Sequence, residues 1–283
     1  MVIFISGASG YLGSLLVNAL SVEHDVYALI RRTSSKDRLQ QGFINIIYID
    51  EYSELENAFK MYSPELIINT AALYGRKGEL LSELVEANIS FPVKLLELAG
   101  KYKSKAYINT GTSLPGNIST YASTKNAFVN LAKFKSEMRV KFINIELEHF
   151  YGPKDDSSKF ISYVIDACLK GENIDLTTGL QTRDFIYIDD VIMAYKVVIK
   201  NIPKLDYFEN IPLGSGVAPT IQSVVKLIHK CSNSKSRIEF GAKPIRENEL
   251  MHSCANINKI ESLGWSSCVE LKSGIQKVIT YNE

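Results

Sequence analysis

The 283-residue chain is poor in cysteine and histidine, four of each, and has no surplus of either charge. Cys168, Cys231, Cys254 and Cys268 form no Cys-x-x-Cys pair and have no histidine cluster beside them. Zinc ribbons and disulfide scaffolds need such spacings, so the cysteines read as reduced thiols and no metal site is expected. Lys plus Arg is 32 against 31 for Asp plus Glu. That balance argues against a general nucleic-acid or polyanion binder, though not against a local basic patch. No apolar run approaches the roughly 18 residues that cross a bilayer. Met1 leads straight into a strand-like run without a basic stretch and cleavable apolar segment, so a cytoplasmic protein without a membrane partner is expected. The length allows about two domains at roughly 150 residues each, or one large α/β unit with an appended lobe.

What is present is an alternation. Val2–Ile5 is a short β-branched run ending in Ser6-Gly7, and Leu12, Leu15, Leu16 and Ala19 then recur at helical spacing. Further strand-like runs lie at Val26–Ile30, Ile44–Ile49, Leu66–Ile68, Ala106–Ile108 and Phe142–Ile145, with helical segments over about 53–62, 79–101 and 121–138 between them. Alternating strand and helix predicts an α/β fold: a Rossmann-type, doubly wound parallel sheet. After Tyr151-Gly152-Pro153 the alternation loosens into helices near 158–170, 189–200, 220–231 and 270–279 with short strands. Residues 1–150 are therefore expected to form an NADP-binding domain. Residues 151–283 should form mostly a smaller substrate lobe, one segment of which returns to the main sheet or stays apart.

The first strand runs into Gly7-Ala8-Ser9-Gly10-Tyr11-Leu12-Gly13. A dinucleotide pyrophosphate needs a tight turn, close backbone approach and the positive end of a helix, and glycines at 7, 10 and 13 meet those needs in order. The second strand ends in Arg31-Arg32, with no acid beside them in sequence, where a carboxylate would hold a ribose 2′-hydroxyl. Guanidinium suits a 2′-phosphate, so NADPH is favoured over NADH. Asp50, closing the third strand, is placed to meet the adenine edge.

Tyr121-Ala122-Ser123-Thr124-Lys125 puts a phenol and an ammonium one helical turn apart. A phenol is a weak acid near neutral pH, and a close ammonium stabilises its anion. Chance alone supplies about one such pair in a chain of this composition. Its place after the fifth strand, shortly after Thr112 and Ser113, gives it weight.

With these residues the chain resembles the extended short-chain dehydrogenase/reductase family, also called the NAD-dependent epimerase/dehydratases, whose members mostly act on nucleotide-diphosphate sugars. The likeness runs over nearly the whole length: the 7–13 loop, Asn88, the Thr112/Tyr121/Lys125 set, Tyr151-Gly152-Pro153 and Arg183-Asp184-Phe185. Within the family it is most similar to the 4-ketoreductases of dideoxyhexose biosynthesis, the CDP-paratose and CDP-abequose synthases. Ile68–Arg76, Ile108–Pro115, Leu147–Gly152, Leu176–Phe185 and Ile238–Gly241 carry that closer match. The resemblance implies Tyr121 as proton donor, Lys125 as the group that lowers its pKa and holds the nicotinamide ribose, and Thr112 as a hydrogen-bonding partner of the reacting oxygen. It implies cofactor contacts at Gly7, Ser9, Gly10, Tyr11, Leu12, Arg31, Arg32, Asp50, Ala71, Ala72 and Asn88. For the substrate it implies Tyr74, Ser113, His149 and Phe160 near sugar or base, and Arg183 and Arg246 on the diphosphate. His149 and Phe160 read equally well as structural residues.

Three reactions share such a scaffold. A sugar 4,6-dehydratase of the family follows its threonine with an acidic pair, whereas Thr112 is followed by Ser113-Leu114. A 4-epimerase retains NAD, while the double arginine points to exchangeable NADPH. The expectation is therefore reduction of the C4 ketone of a CDP-linked 4-keto-3,6-dideoxyhexose, with a dTDP-4-keto-6-deoxyhexose reductase or a 4-epimerase as alternatives. A non-catalytic NADP-binding sensor would typically have lost Tyr121 or Lys125. Members of the family the chain resembles often form homodimers through the two helices flanking the sheet, and the apolar faces near 79–101 and 121–138 permit the same pairing without demanding it.

Overall fold

The computed structural model describes residues 1–39, 44–134 and 139–282. In chain order the N-terminal part runs β1 (Val2–Ser6), α1 (Tyr11–Leu20), β2 (Asp25–Ile30), β3 (Asn45–Tyr48), α2 (Tyr52–Tyr62), β4 (Leu66–Asn69), α3 (Leu81–Val85), α4 (Phe91–Lys101), β5 (Ala106–Thr110), α5 (Thr120–Lys133) and β6 (Lys141–Leu147). There follow β7 (His149–Tyr151), α6 (Phe160–Lys170), β8 (Ile174–Leu176), β9 (Thr182–Arg183), β10 (Phe185–Tyr187), α7 (Ile188–Asn201) and β11 (Phe208–Leu213). The chain ends with α8 (Ile221–Cys231), β12 (Ile238–Phe240), β13 (His252–Ser253), α9 (Asn258–Ser262) and α10 (Leu271–Asn282). It divides into two compact units, one of Met1–Glu146 with Lys196–Ile211 and one of Leu147–Tyr195 with Pro212–Glu283.

The first unit is built on a seven-stranded sheet in the order β11-β6-β5-β4-β1-β2-β3. Its strands run parallel, with Ile3 opposite both Val26 and Leu66, and Ile108 opposite Ile143. Every residue of β4 is buried, as a central parallel strand covered on both faces requires. The expected α/β, Rossmann-type parallel sheet is what forms. Leu55, Phe59, Leu95, Leu98 and Phe128 from the helices close over Phe4, Ile67, Tyr107 and Phe142 of the strands.

One sheet face carries two rows that single-strand patterns do not show. Tyr107, Phe142 and Phe208 stack across β5, β6 and β11 with centroids 5.6 and 5.7 Å apart. Two residues further along each strand runs a row of side-chain amides. Ser6 Oγ donates to Asn69 Oδ1 at 2.6 Å, Asn69 Nδ2 to Asn109 Oδ1 at 3.2 Å, and Asn109 Nδ2 to Asn144 Oδ1 at 2.8 Å. Asn144 Nδ2 then donates to Asn210 Oδ1 at 2.6 Å. Each amide both gives and receives, so polar groups at the sheet's carboxyl edge are buried without loss.

The helical segment expected over 79–101 is interrupted. Glu86–Ser90 adopts a π-helical turn between α3 and α4. Helix α5 is capped by Ser119, whose hydroxyl accepts from the Ala122 amide at 3.2 Å, and runs to Lys133. The expected extension of that segment to 138 lies at residues outside those described. In the second unit β7 pairs with β10, β8 with β12 and β9 with β13, all parallel. None of the four cysteines is in a disulfide, and Cys168 is buried. Among the described residues no helix is long and apolar enough to cross a membrane.

Candidate active site

The phosphate loop follows β1 directly. Gly7 has φ +69°, and a Cβ there would stand 2.5 Å from the Ala71 amide nitrogen, so the turn rests on the backbone that leaves β4. A Cβ at Gly13 would meet the Gly7 carbonyl at 2.3 Å, so α1 can seat against the loop only without one. Gly10, by contrast, is exposed, and the nearest atom to a Cβ there is the Gly7 carbonyl at 3.1 Å. Gly10 caps α1 without a side chain, and no acidic residue stands in the first turn. The helix therefore presents unneutralised N–H groups next to an open glycine surface, which fits a dinucleotide pyrophosphate. Tyr11 and Leu12 are buried and Ser9 half-buried, so Tyr11 and Leu12 can serve such a ligand through their amides. Ala71 and Ala72, half-buried, line the turn after β4.

At the end of β2 the fold supplies the acid that the local sequence lacks. Arg32 pairs with Asp50 at 2.7 Å and with Glu54 at 2.5 Å, and its backbone amide also donates to Asp50. The Arg32 guanidinium, through its hydrogen bond, holds the Glu54 carboxyl down at about 2. The two arginines, read as favouring a 2′-phosphate because no acid stands beside them in sequence, differ in the fold: β3 and α2 bring two carboxylates to Arg32. Asp50, expected at the adenine edge, spends both oxygens on Arg32. Arg31 is exposed. A third cation, Arg38, lies 5.6 Å from the Tyr11 ring centre beside the phosphate loop.

Asn88 sits on the π-helical turn and is 1% exposed. Its Oδ1 accepts from the Leu73 amide at 2.9 Å, while its Nδ2 donates to the Leu73 carbonyl at 2.9 Å and to Thr124 Oγ1 at 3.0 Å. The side chain, expected to touch cofactor, ties the loop after β4 to helix α5.

That clamp holds together the catalytic candidates. The rings of Tyr74 and Tyr121 stack with centroids 4.7 Å apart and planes 24° from parallel. Burial pushes the Tyr121 phenol well above its ordinary value and Tyr74 adds to this, while Arg76 and the Thr112 hydroxyl pull it back. Lys125, 3% exposed, is pushed down to about 8 by burial. Ser113 is half-buried beside Thr112, and neither Ser113 nor Leu114 can replace a carboxylate. The arrangement is a protonated phenol, a hydroxyl and a buried amine in one place, suited to passing a proton to an oxygen that gains negative charge.

The other substrate candidates belong to the second unit. Phe185 brings His149 and Phe160 together: its ring lies 5.8 Å from His149, edge-on, and 6.2 Å from Phe160, stacked. His149 Nδ1 also faces the buried Glu148 carboxylate at 3.4 Å. Arg183 is not a free cation. It is 8% exposed, pairs with Glu249 at 2.5 Å and donates to the Thr182 carbonyl at 2.8 Å. Burial lowers its pKa, and Glu249 and Glu148 act against this. Arg246 stands three residues before Glu249 and is exposed. Asp184 is absent from the expected contacts, yet it organises this unit. It is fully buried and accepts from Ser215 N at 2.7 Å, Gly216 N at 3.0 Å and Ala255 N at 3.2 Å. Only its place between Arg183 and Phe185 marked it in sequence.

A glycine turn opening a helix after the first strand, with Thr112, Tyr121 and Lys125 beyond the fifth strand of one parallel sheet, is the arrangement of a nicotinamide-dependent enzyme. The profile of the NAD dependent epimerase/dehydratase family matches residues 3–211, and the chain belongs to that family. It is 31% identical over 290 residues to the CDP-abequose synthase of Salmonella muenchen, covering 99% of this chain and 98% of that protein. It is also similar to the UDP-glucose 4-epimerase of Mycolicibacterium smegmatis, 24% identical over 98% of this chain and 97% of the relative. Among solved structures, the UDP-glucose 4-epimerase of Thermotoga maritima with UDP-glucose superimposes with a TM-score of 0.87 at 22% identity, covering 100% and 98% of the two chains.

Proposed function

We propose that the protein reduces the C4 ketone of a nucleotide-diphosphate 4-keto-deoxyhexose with NADPH, and that its substrate is CDP-4-keto-3,6-dideoxyglucose. The observation that carries this is the proton inventory around Tyr121. Tyr121 lies one helical turn from the buried Lys125, Thr112 follows the fifth strand, and no acid–base carboxylate follows Thr112. Reduction needs a proton donor at the carbonyl oxygen and no base at neighbouring carbons. The whole-length likeness to the CDP-abequose synthase supports the choice of nucleotide and sugar.

When bound, the reduced nicotinamide supplies the hydride. Tyr121 gives its proton to the oxygen as negative charge gathers there, and Thr112 hydrogen-bonds the same oxygen. Lys125 holds positive charge at the phenolate left behind. The amides opening α1 hold the pyrophosphate, and Arg31 is the cation available to a 2′-phosphate. Arg246 is the exposed partner for the substrate diphosphate, while Arg183 reaches a phosphate only by releasing Glu249.

Tyr121→Phe keeps the ring and removes the transferable proton. With CDP-4-keto-3,6-dideoxyglucose, turnover should fall by about 10² or more while NADPH affinity is retained. Unchanged turnover overturns the assignment. NADPH left unoxidised while CDP-sugars interconvert at C4 establishes the epimerase instead.

A further inference from the structure

The steps above make no use of the asparagine row that crosses the sheet. Two residues before each of its members the same strands are apolar: Ile67, Tyr107, Phe142 and Phe208 precede Asn69, Asn109, Asn144 and Asn210. Ser6, Asn69 and Asn109 are 0% exposed and Asn144 is 4% exposed. Stability alone does not call for amides here, because matched apolar side chains would serve it about as well. What an amide adds is direction. The row passes through the last residues of β1 and β4 and the last but one of β5, the end of an open α/β sheet where ligands bind.

The two ends of the row orient every amide in it. The Ala71 amide, which can only donate, gives its hydrogen to Asn69 Oδ1 at 3.3 Å, beside the Ser6 hydroxyl. Asn69 therefore turns its Nδ2 to Asn109, Asn109 its Nδ2 to Asn144, and Asn144 its Nδ2 to Asn210. Asn210 Nδ2 ends on Glu146 Oε2 at 2.6 Å, a carboxylate oxygen that accepts. A donor at one end and an acceptor at the other leave no amide free to flip. Asn144 is where the row meets the catalytic candidates. Its carboxamide lies against Gly111: a Cβ on that glycine would stand 2.4 Å from Oδ1, 2.9 Å from Nδ2 and 3.0 Å from Cγ. The Gly111 amide also donates to the Ile145 carbonyl at 2.8 Å. Thr112 is the next residue.

We propose that Asn144 is the positioning residue for Thr112: its carboxamide, held in one orientation by Asn109 and Asn210, sets the backbone from which the Thr112 hydroxyl reaches the reacting oxygen. The proposal rests on the reductase reading for its effect on turnover. It also accounts for glycine at 111, because a side chain there would take the volume the amide fills. No proton travels along the row. What the row supplies is a fixed place for one hydroxyl, and a misplacement of about 1 Å can cost a reaction about 10²-fold.

Asn144→Ala removes all three atoms that approach Gly111. With NADPH and CDP-4-keto-3,6-dideoxyglucose it should lower kcat about tenfold while KM and NADPH affinity stay within about twofold of wild type. Gly111→Ala should lower kcat similarly, by displacing Thr112 from the other side of the contact. The double variant Asn144→Ala/Gly111→Ala, whose new methyl enters the vacated volume, should recover most of the loss. In a Thr112→Val background Asn144→Ala should cost nothing further. Phe142→Leu, two residues earlier in β6, loosens the same strand without touching the row and should keep kcat. Position is also read without turnover, from the γ-methyl NMR signal of Thr112 in cofactor-free protein, assigned by its loss in Thr112→Val. That signal should shift in both single variants and return toward its wild-type position in the double variant. Circular dichroism checks folding, and should Asn144→Ala fail to fold, Gly111→Ala tests the same contact. An unmoved methyl signal overturns the assignment. So does a kcat loss in Asn144→Ala that persists in full beside Thr112→Val or is matched by Phe142→Leu. If the signal moves and the double variant restores it, but wild type reduces no keto-sugar, the positioning stands and the reductase reading fails.

Discussion

At the scale of single residues, this site trades stability for chemistry, and Lys125 shows it best. An ammonium that is 3% exposed prefers to lose its proton, which is why burial brings it down to about 8. In the unfolded chain the same lysine keeps its proton until well above that pH. Below about 8 both states are charged and folding bears the full cost of burying the ammonium. Between about 8 and 10.5 the folded state releases the proton first, so stability rises with pH. Lys125→Met should therefore stabilise the substrate-free protein near pH 7, by up to about 3 kcal/mol from the size of the shift. The gain should shrink as pH passes through that window, as compared by urea denaturation of wild type and variant at pH 7 and pH 10.5. Equal gains at both pH values would show that packing, not charge burial, is responsible. That Tyr121 and Lys125 lie one turn apart on a helix was readable from their spacing. What Tyr74 and Arg76 touch was not, because it depends on the turn at Gly75 and the clamp from Asn88.

At the scale of elements, the phosphate loop separates two uses of glycine that one motif hides. Gly13 is needed by the fold, because a Cβ would collide with the Gly7 carbonyl. Gly10 faces open space apart from that carbonyl at 3.1 Å. Gly13→Ala should destabilise the protein by about 2 kcal/mol or more through overpacking. Gly10→Ala should leave thermal stability within about 0.5 kcal/mol of wild type and weaken NADPH binding severely. Calorimetric melting and fluorescence titration of NADPH distinguish the two. If Gly10→Ala binds NADPH as wild type does, the cofactor does not approach this surface. Loop and helix were legible because glycine spacing after a strand is a local signal. The π-helical turn at Glu86–Ser90 was not. Nothing in Glu-Ala-Asn-Ile-Ser departs from ordinary helical spacing, and the extra residue per turn is stabilised by what Asn88 reaches.

At the scale of the whole molecule, the first unit is discontinuous in sequence. Residues 196–211 belong with it and carry most of β11, which lies against β6. The Phe142–Phe208 stack and the Asn144–Asn210 hydrogen bond join these strands, and Lys141 donates to the Ile202 and Pro203 carbonyls. A fragment of residues 1–150 would leave β6 as an exposed edge bearing an uncovered phenylalanine and an unpaired amide. That fragment should aggregate or bind a hydrophobic dye where the full chain does not, by light scattering and dye fluorescence. A soluble, cooperatively folding fragment with native NADPH affinity would show that β11 is dispensable.

Periodicity was enough, in the sequence by itself, for the parallel α/β sheet, and the resemblance carried by the 7–13 loop and by Thr112, Tyr121 and Lys125 was enough for the family. Each rests on residues a few positions apart, where backbone geometry leaves little choice of direction. Only the tertiary structure decided which charges and amides remain free to act. It gave Arg32 the carboxylates of Asp50 and Glu54 and gave Arg183 that of Glu249. It committed Asn88 to the backbone of Leu73, lined four asparagines into a ladder, and laid Tyr74 on Tyr121 under Arg76. Those partners come from separate strands, helices and loops, and a side chain's availability depends on the nearest opposite charge or hydrogen-bond partner in space.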